Sequence, residues 1–136
     1  MKLMGIDYGR RRIGLAVTDE EGYCVRGLDV IDRKKTSDIY SELKRIIDAE
    51  NPAQLVIGLP LDVEDRETVM STEIRKFAAE LKNRVTLPVN FIDESLSSKN
   101  ASEFIKFRKK KERRDKALVD RVAACLILER YIEENK

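Results

Sequence analysis

The run Leu55-Val-Ile-Gly-Leu59 is apolar at successive positions without polar alternation, and this restricts the fold more than any other feature of the chain. A strand with one face in water alternates apolar and polar side chains, whereas a strand apolar throughout is covered on both faces. Covering both faces of a sheet takes helices on each side, so the chain is read as α/β. Its 136 residues make one domain, 1–136, with no linker, internal repeat or low-complexity segment. Leu, Ile, Val and Phe together fill 39 positions. That share is well above the roughly 20% below which chains tend to stay disordered, so two core layers are within reach.

The remaining elements follow from local patterns. Lys2-Leu-Met-Gly-Ile-Asp7 and Arg12-Ile-Gly-Leu-Ala-Val-Thr-Asp19 read as two strands of a β-hairpin, with Gly9 giving the reversal its backbone freedom. Leu28-Asp-Val-Ile31 is predicted to add a third antiparallel strand. From Ser37, taken as an N-cap, Ile39, Leu43, Ile46 and Ile47 share a helical face that Asn51-Pro52 closes. Ile74, Phe77, Ala78 and Leu81 mark a second helix, and Val89-Asn-Phe-Ile92 is a strand leading to Asp93 and Glu94. Ser97 or Ser98 caps a third helix carrying Ala101, Phe104 and Ile105, and a last helix runs from Leu118 to Ile132. Three antiparallel strands followed by alternating helices and strands give a mixed five-stranded sheet with helices on both faces.

Absences narrow the chemistry. The chain has no histidine, which excludes Ser-His-Asp and Cys-His nucleophile systems and His-metal finger nucleases. Cys24 and Cys125 cannot fill a four-ligand zinc site within one chain, and they read as reduced thiols of a cytoplasmic protein, Cys125 as a core residue. The longest apolar run, Val122 to Leu128, is far shorter than the roughly 18 residues of a membrane span, so no membrane role is expected. Phosphate-loop and dinucleotide-turn glycine patterns are missing as well.

Carboxylates are then the candidate chemistry. Open α/β sheets place their sites outside the carboxyl ends of strands, where Asp7 and Glu94 both fall. Each also has a plainer reading as a turn residue or helix cap. Asp120 lies in Leu118-Val-Asp-Arg-Val-Ala-Ala-Cys-Leu-Ile-Leu128, apolar nearly all round and therefore expected to be buried. An unpaired carboxylate there is costly, so Asp120 needs a cation. A metal ion shared with other acids supplies one; a salt bridge to Lys116 or Arg121, or exposure at the helix start, would serve instead.

These residues resemble the YqgF family, also called Holliday junction resolvase-like proteins or pre-16S rRNA nucleases, of the RNase H-like superfamily. The likeness runs through Gly5-Ile-Asp7-Tyr-Gly9-Arg-Arg-Arg-Ile13-Gly-Leu-Ala-Val-Thr-Asp19, Val56-Ile-Gly-Leu-Pro60-Leu, Asp93-Glu94 and Val119-Asp120-Arg-Val-Ala-Ala-Cys-Leu-Ile-Leu128. The resemblance implies an RNase H-like sheet whose acids, here Asp7, Glu94 and Asp120, are catalytic and hold Mg²⁺ or Mn²⁺, hard ions that suit oxygen ligands. Two such ions about 3.5–4 Å apart can activate a water and stabilise the leaving oxygen in phosphodiester hydrolysis. Two positions depart from the family pattern: Ser95 stands where Arg usually follows Asp-Glu, and Asp62 replaces the usual Asn.

Charge supports a nucleic-acid partner. Lys106 to Lys116 holds eight Lys or Arg against two acids, so the segment carries +6 while the whole chain carries +2. Arg108, Lys109, Lys110, Lys111, Arg113 and Arg114 in this run, with Arg10, Arg11 and Arg12 after Asp7, form a candidate phosphate-binding footprint; a merely solvated face is the alternative. Apart from Phe107, aromatics are not interleaved, which favours backbone contact and duplex or structured RNA over single strands. The leading expectation is a nuclease for the 5′ end of precursor 16S rRNA, acting on RNA or ribosomal precursor particles as monomer or homodimer. A resolvase of branched DNA and a non-catalytic RNA-binding assembly factor are the alternatives.

Overall fold

The computed structural model describes residues 1–61, 64, 66–93 and 116–135. Its elements are β1 (Leu3–Asp7), β2 (Arg12–Thr18), β3 (Val25–Gly27), β4 (Ile31–Asp32), α1 (Ile39–Glu50), β5 (Gln54–Leu59), α2 (Val69–Lys82), β6 (Val89–Asp93) and α3 (Lys116–Glu134). Glu94, the helix expected near 97–105 and the basic run through 115 lie outside the described residues.

The sheet has the order β3-β2-β1-β5-β6, with β4 also pairing with β2. β1 and β2 form the expected antiparallel hairpin, while β1–β5 and β5–β6 are parallel. All six residues of β5 are buried, as a central strand covered on both faces requires. On one face α1 and α2 close the main core, where Leu43, Ile47, Ile74, Phe77 and Leu81 meet Met4, Ile6, Leu15, Leu55 and Ile57. On the other face α3 brings Ala124, Ile127 and Leu128 onto Leu3, Ala16, Val56 and Ile92. Strand alternation explains the partition, since residues 4 and 6 of β1 point one way and residue 3 the other.

Three local expectations are corrected. Residues 28–30 of the strand predicted at Leu28–Ile31 fall in no strand: β3 ends just before them and β4 begins at Ile31. β3 pairs Gly27 with Ala16 and β4 pairs Ile31 with Ile13, so four steps on the outer side match three on β2. That one extra residue is a β-bulge, and it turns Ile31 into the α1/α2 core while Gly27 faces α3. The cap of α1 is Asp38, not Ser37: its extended backbone lets the carboxylate accept from the N–H groups of Tyr40 and Ser41. Third, α3 is buried only along a stripe that includes Ala123, Ala124, Ile127 and Leu128, and several of its other apolar residues are partly exposed.

The Asp38 cap yields a pH-dependent prediction. The Ser41 hydroxyl, its N–H and that of Tyr40 hold the Asp38 carboxyl below its ordinary value of 3.8. A carboxyl lowered on folding stabilises the folded chain above the unfolded value and loses that contribution as pH falls through the folded one. Asp38→Ala should therefore melt below the wild type at neutral pH, the gap closing as pH drops below 3.8, while Ser37→Ala melts with the wild type. Thermal melts followed by circular dichroism across that range check both.

Candidate active site

The site begins with how closely α3 lies on the sheet. Gly5 and Gly14 leave no side chain beneath the helix. A Cβ on Gly5 would come within 2.7 Å of Leu128 Cγ, and one on Gly14 within 2.8 Å of the Asp120 carbonyl carbon. Gly14 is also the direct cross-strand partner of Asp7. Opposed residues of an antiparallel pair sit with Cα atoms roughly 4.5–5.5 Å apart and on the same face. Gly14 thus has Asp7 beside it in the sheet and Asp120 above it in the helix, so the last residue of β1 and the second turn of α3 meet at one place.

Arg12 completes this arrangement. It lies two residues before Gly14, so alternation puts it on the α3 face, and its Nε donates to Asp120 Oδ2 at 2.6 Å. The two side chains are 22% and 24% exposed, shielded enough for a charge-assisted bond to matter. The cation required by Asp120 is therefore Arg12 rather than Arg121. Arg121 donates instead to the Leu28 carbonyl at 3.0 Å, in the bulge, and reaches Asp29 at 3.3 Å.

The other expected residues are spread differently. Arg10 and Arg11 are exposed beyond the hairpin, Arg10 facing Glu73 at 3.3 Å and Arg11 facing Asp32 at 3.7 Å. Gly9 does not adopt a positive φ. The turn needs glycine there because a Cβ would collide with the Arg12 carbonyl oxygen, a constraint of space rather than of backbone freedom. Tyr8 packs at 4.6 Å from the Phe77 ring and carries the Arg33 guanidinium 5.1 Å from its own ring centroid, so it belongs to the fold. Burial pushes the Cys125 thiol up, with Glu129 adding to the effect, which suits a core thiol and not a nucleophile.

Of the three expected acids, Asp7 and Asp120 are brought together and Glu94 lies outside the described residues, as do Arg108, Lys109, Lys110, Lys111, Arg113 and Arg114. No group of three potential metal ligands occurs among the described residues. In donor type the Asp7–Asp120 pair still suits a hard divalent ion, because both donors are carboxylates and a guanidinium already balances one of them. The contact missed from sequence was Arg12 with Asp120. Its signal was the period-two spacing of Arg12, Gly14 and Ala16, which marks one face of β2.

A mixed sheet with helices on both faces, and a strand-end Asp7 beneath a close-packed helix that carries Asp120, give the chain an RNase H-like architecture. The family model described as "RuvX: Holliday junction resolvase" matches residues 1–134, and the chain belongs to that family. Relatives named "Putative pre-16S rRNA nuclease" include one from Maridesulfovibrio salexigens, 37% identical over 97% of this chain and 98% of its own length. Another, from Oleidesulfovibrio alaskensis, is 39% identical over 97% of this chain and 92% of its own. Among solved structures, Thermus thermophilus RuvC in complex with a Holliday junction substrate superposes with a TM-score of 0.61 at 16% identity, covering 100% of this chain and 97% of that one. The fowlpox virus Holliday junction resolvase gives 0.57 at 13%, with 99% of both chains covered. At such identities the structures speak to the fold.

Gly14→Ala tests the close approach. The added methyl must push α3 away from β2, at about 1–3 kcal/mol in the range of core overpacking. Urea denaturation should show this loss. Unchanged stability would contradict the contact.

Proposed function

We propose that the protein is a metal-dependent endonuclease that hydrolyses structured RNA, with precursor 16S rRNA as its substrate and Asp7, Asp120 and Glu94 as its catalytic acids. The observation that carries the reading is the meeting of Asp7 and Asp120 on the two sides of Gly14. Two carboxylates from elements distant in sequence, held on a rigid sheet and helix, have the preorganisation that phosphodiester hydrolysis demands. The names of the relatives from Maridesulfovibrio and Oleidesulfovibrio support RNA as the substrate.

In this reading Asp7 and Asp120 are the oxygen ligands for Mg²⁺ or Mn²⁺, joined by Glu94. When bound, such ions supply an activated water and stabilise the leaving oxygen. The chain's own groups do the rest. β1 and α3 fix the two carboxylates without reliance on loops. Arg12 aims Asp120 by its 2.6 Å bond and offsets part of the charge of the acidic site, which lowers the repulsion between the carboxylates. Where Asp120 turns its oxygens to a ligand, the same guanidinium is at hand for a phosphate oxygen, a geometry for which arginine is well suited. The protein has no histidine to act as a base, and carboxylates with hard ions make one unnecessary.

The family description gives junction resolution as the second reading. Cutting a four-way junction symmetrically calls for two active sites in a dimer, so sedimentation at working concentration separates the two. Asp7→Asn and Asp120→Asn are each expected to lower Mg²⁺-dependent cleavage of a precursor 16S rRNA fragment by at least about a hundredfold, about 2.7 kcal/mol in the barrier. RNA binding by filter retention should persist in both. Cleavage at the wild-type rate in either variant rejects the assignment.

A further inference from the structure

We propose that the turn after β4, through Lys34 and Lys35 seated on the β1–β2 turn by Arg33, is a second phosphate-binding shelf that holds the nucleic-acid backbone beside the acidic site. The inference rests on the nuclease reading and extends the substrate contact to a segment outside both basic runs noted in the sequence.

The turn is built into the hairpin. The Arg33 N–H donates to the Arg11 carbonyl at 3.0 Å, and its Nη1 donates to the Gly9 carbonyl at 2.9 Å. Its guanidinium lies over the Tyr8 ring, which in turn rests on Phe77 of the main core. Asp32 closes the turn from within. One of its carboxylate oxygens accepts from the Lys34 N–H at 3.0 Å and its carbonyl accepts from the Lys35 N–H at 3.0 Å. Half-buried Arg33 is thus used to fix the turn, and the exposed side chains it presents are Lys34 and Lys35.

Location and charge say what this shelf meets. Asp32, where the turn starts, is the cross-strand partner of Arg12, the residue that bonds Asp120, so the turn opens next to the acidic site. The charges of one strand recur every 3.4 Å or so along the axis of a duplex, so a backbone that reaches the site presents further phosphates to the turn. Arg10 and Arg11 flank the same turn. Glu73 and Asp32 partly offset them, at 3.3 and 3.7 Å, and Asp38 and Glu42 border Lys35, Glu42 paired with Arg45; Arg10, Arg11, Arg33, Lys34, Lys35 and Arg45 against these four acids leave the shelf with a positive balance. Tyr8, the ring at this turn, is covered by Arg33 and rests on Phe77, so it offers no free stacking platform. It suits a phosphodiester backbone held by point charges, as along a duplex, rather than splayed bases.

The test is the salt dependence of binding by the full chain. The probe is an RNA hairpin with a single-stranded 5′ extension, followed by fluorescence anisotropy with Ca²⁺ in place of Mg²⁺. At roughly 0.7–0.9 per phosphate contact, Lys34→Gln/Lys35→Gln should lower the slope of log affinity against log salt by about 1.4–1.8. A charge-matched control, Lys44→Gln/Lys82→Gln on exposed faces of α1 and α2, should keep the wild-type slope. A wild-type slope in the turn variant, or an equal fall in both variants, overturns the shelf while leaving the nuclease reading intact. Wild-type protein that does not bind the hairpin overturns both.

Discussion

The seating of α3 on β1 and β2 is the contact from which the rest of the site follows. It depends on what is missing from the sheet: side chains at Gly5 and Gly14. Helix and strand backbones approach to within van der Waals range there, and Ala124, Ile127 and Leu128 then bury against Leu3, Ala16 and Val56. Packing of this kind leaves no slack, because a single methyl in the interface must displace an entire helix. The same closeness carries Asp120 to the cross-strand partner of Asp7. The packing constraint at Gly14 therefore coincides with the site proposed for the two acids.

Bringing a carboxylate to a half-buried place has an electrostatic cost, and the fold meets it locally. Arg12 leaves the sheet on the same face as Gly14 and binds Asp120 directly, so the acid is never desolvated alone. Arg121, next in the helix, serves a structural task instead by binding the carbonyl that the bulge at Leu28 frees from the ladder. The bulge in turn sends Ile31 into the main core and sets the following turn against the hairpin. Basic residues near the site thus divide into those that hold the scaffold, Arg33 and Arg121, one that balances the acids, Arg12, and those left facing solvent.

Much of this architecture could be read from the chain. Leu55 to Leu59 announced a central strand by its unbroken apolar character, and the helical faces at Ile39–Ile47 and Ile74–Leu81 were correctly periodic. Periodicity failed where a single residue changes register, as at Leu28–Ile31, because a bulge alters which face a side chain takes without altering composition. It also misplaced the cap of α1, since Ser37 and Asp38 are both good caps and only the backbone at Asp38 selects between them. Asp7 and Asp120 were identifiable as candidates from strand end and helix context. Their meeting was not derivable from spacing, because it depends on a tertiary contact through Gly14, and neither was the Arg12 partner, which lies 108 positions from Asp120.

The central claim is that Asp7 and Asp120 share a divalent ion over Gly14. A crystal structure of the protein soaked in Mn²⁺, with anomalous scattering recorded to locate the metal, tests it most directly. The account predicts an anomalous peak bridging one oxygen from each carboxylate, with the Arg12 guanidinium drawn off Asp120. A map in which manganese binds elsewhere, or nowhere, while Arg12 keeps its grip on Asp120, would contradict it.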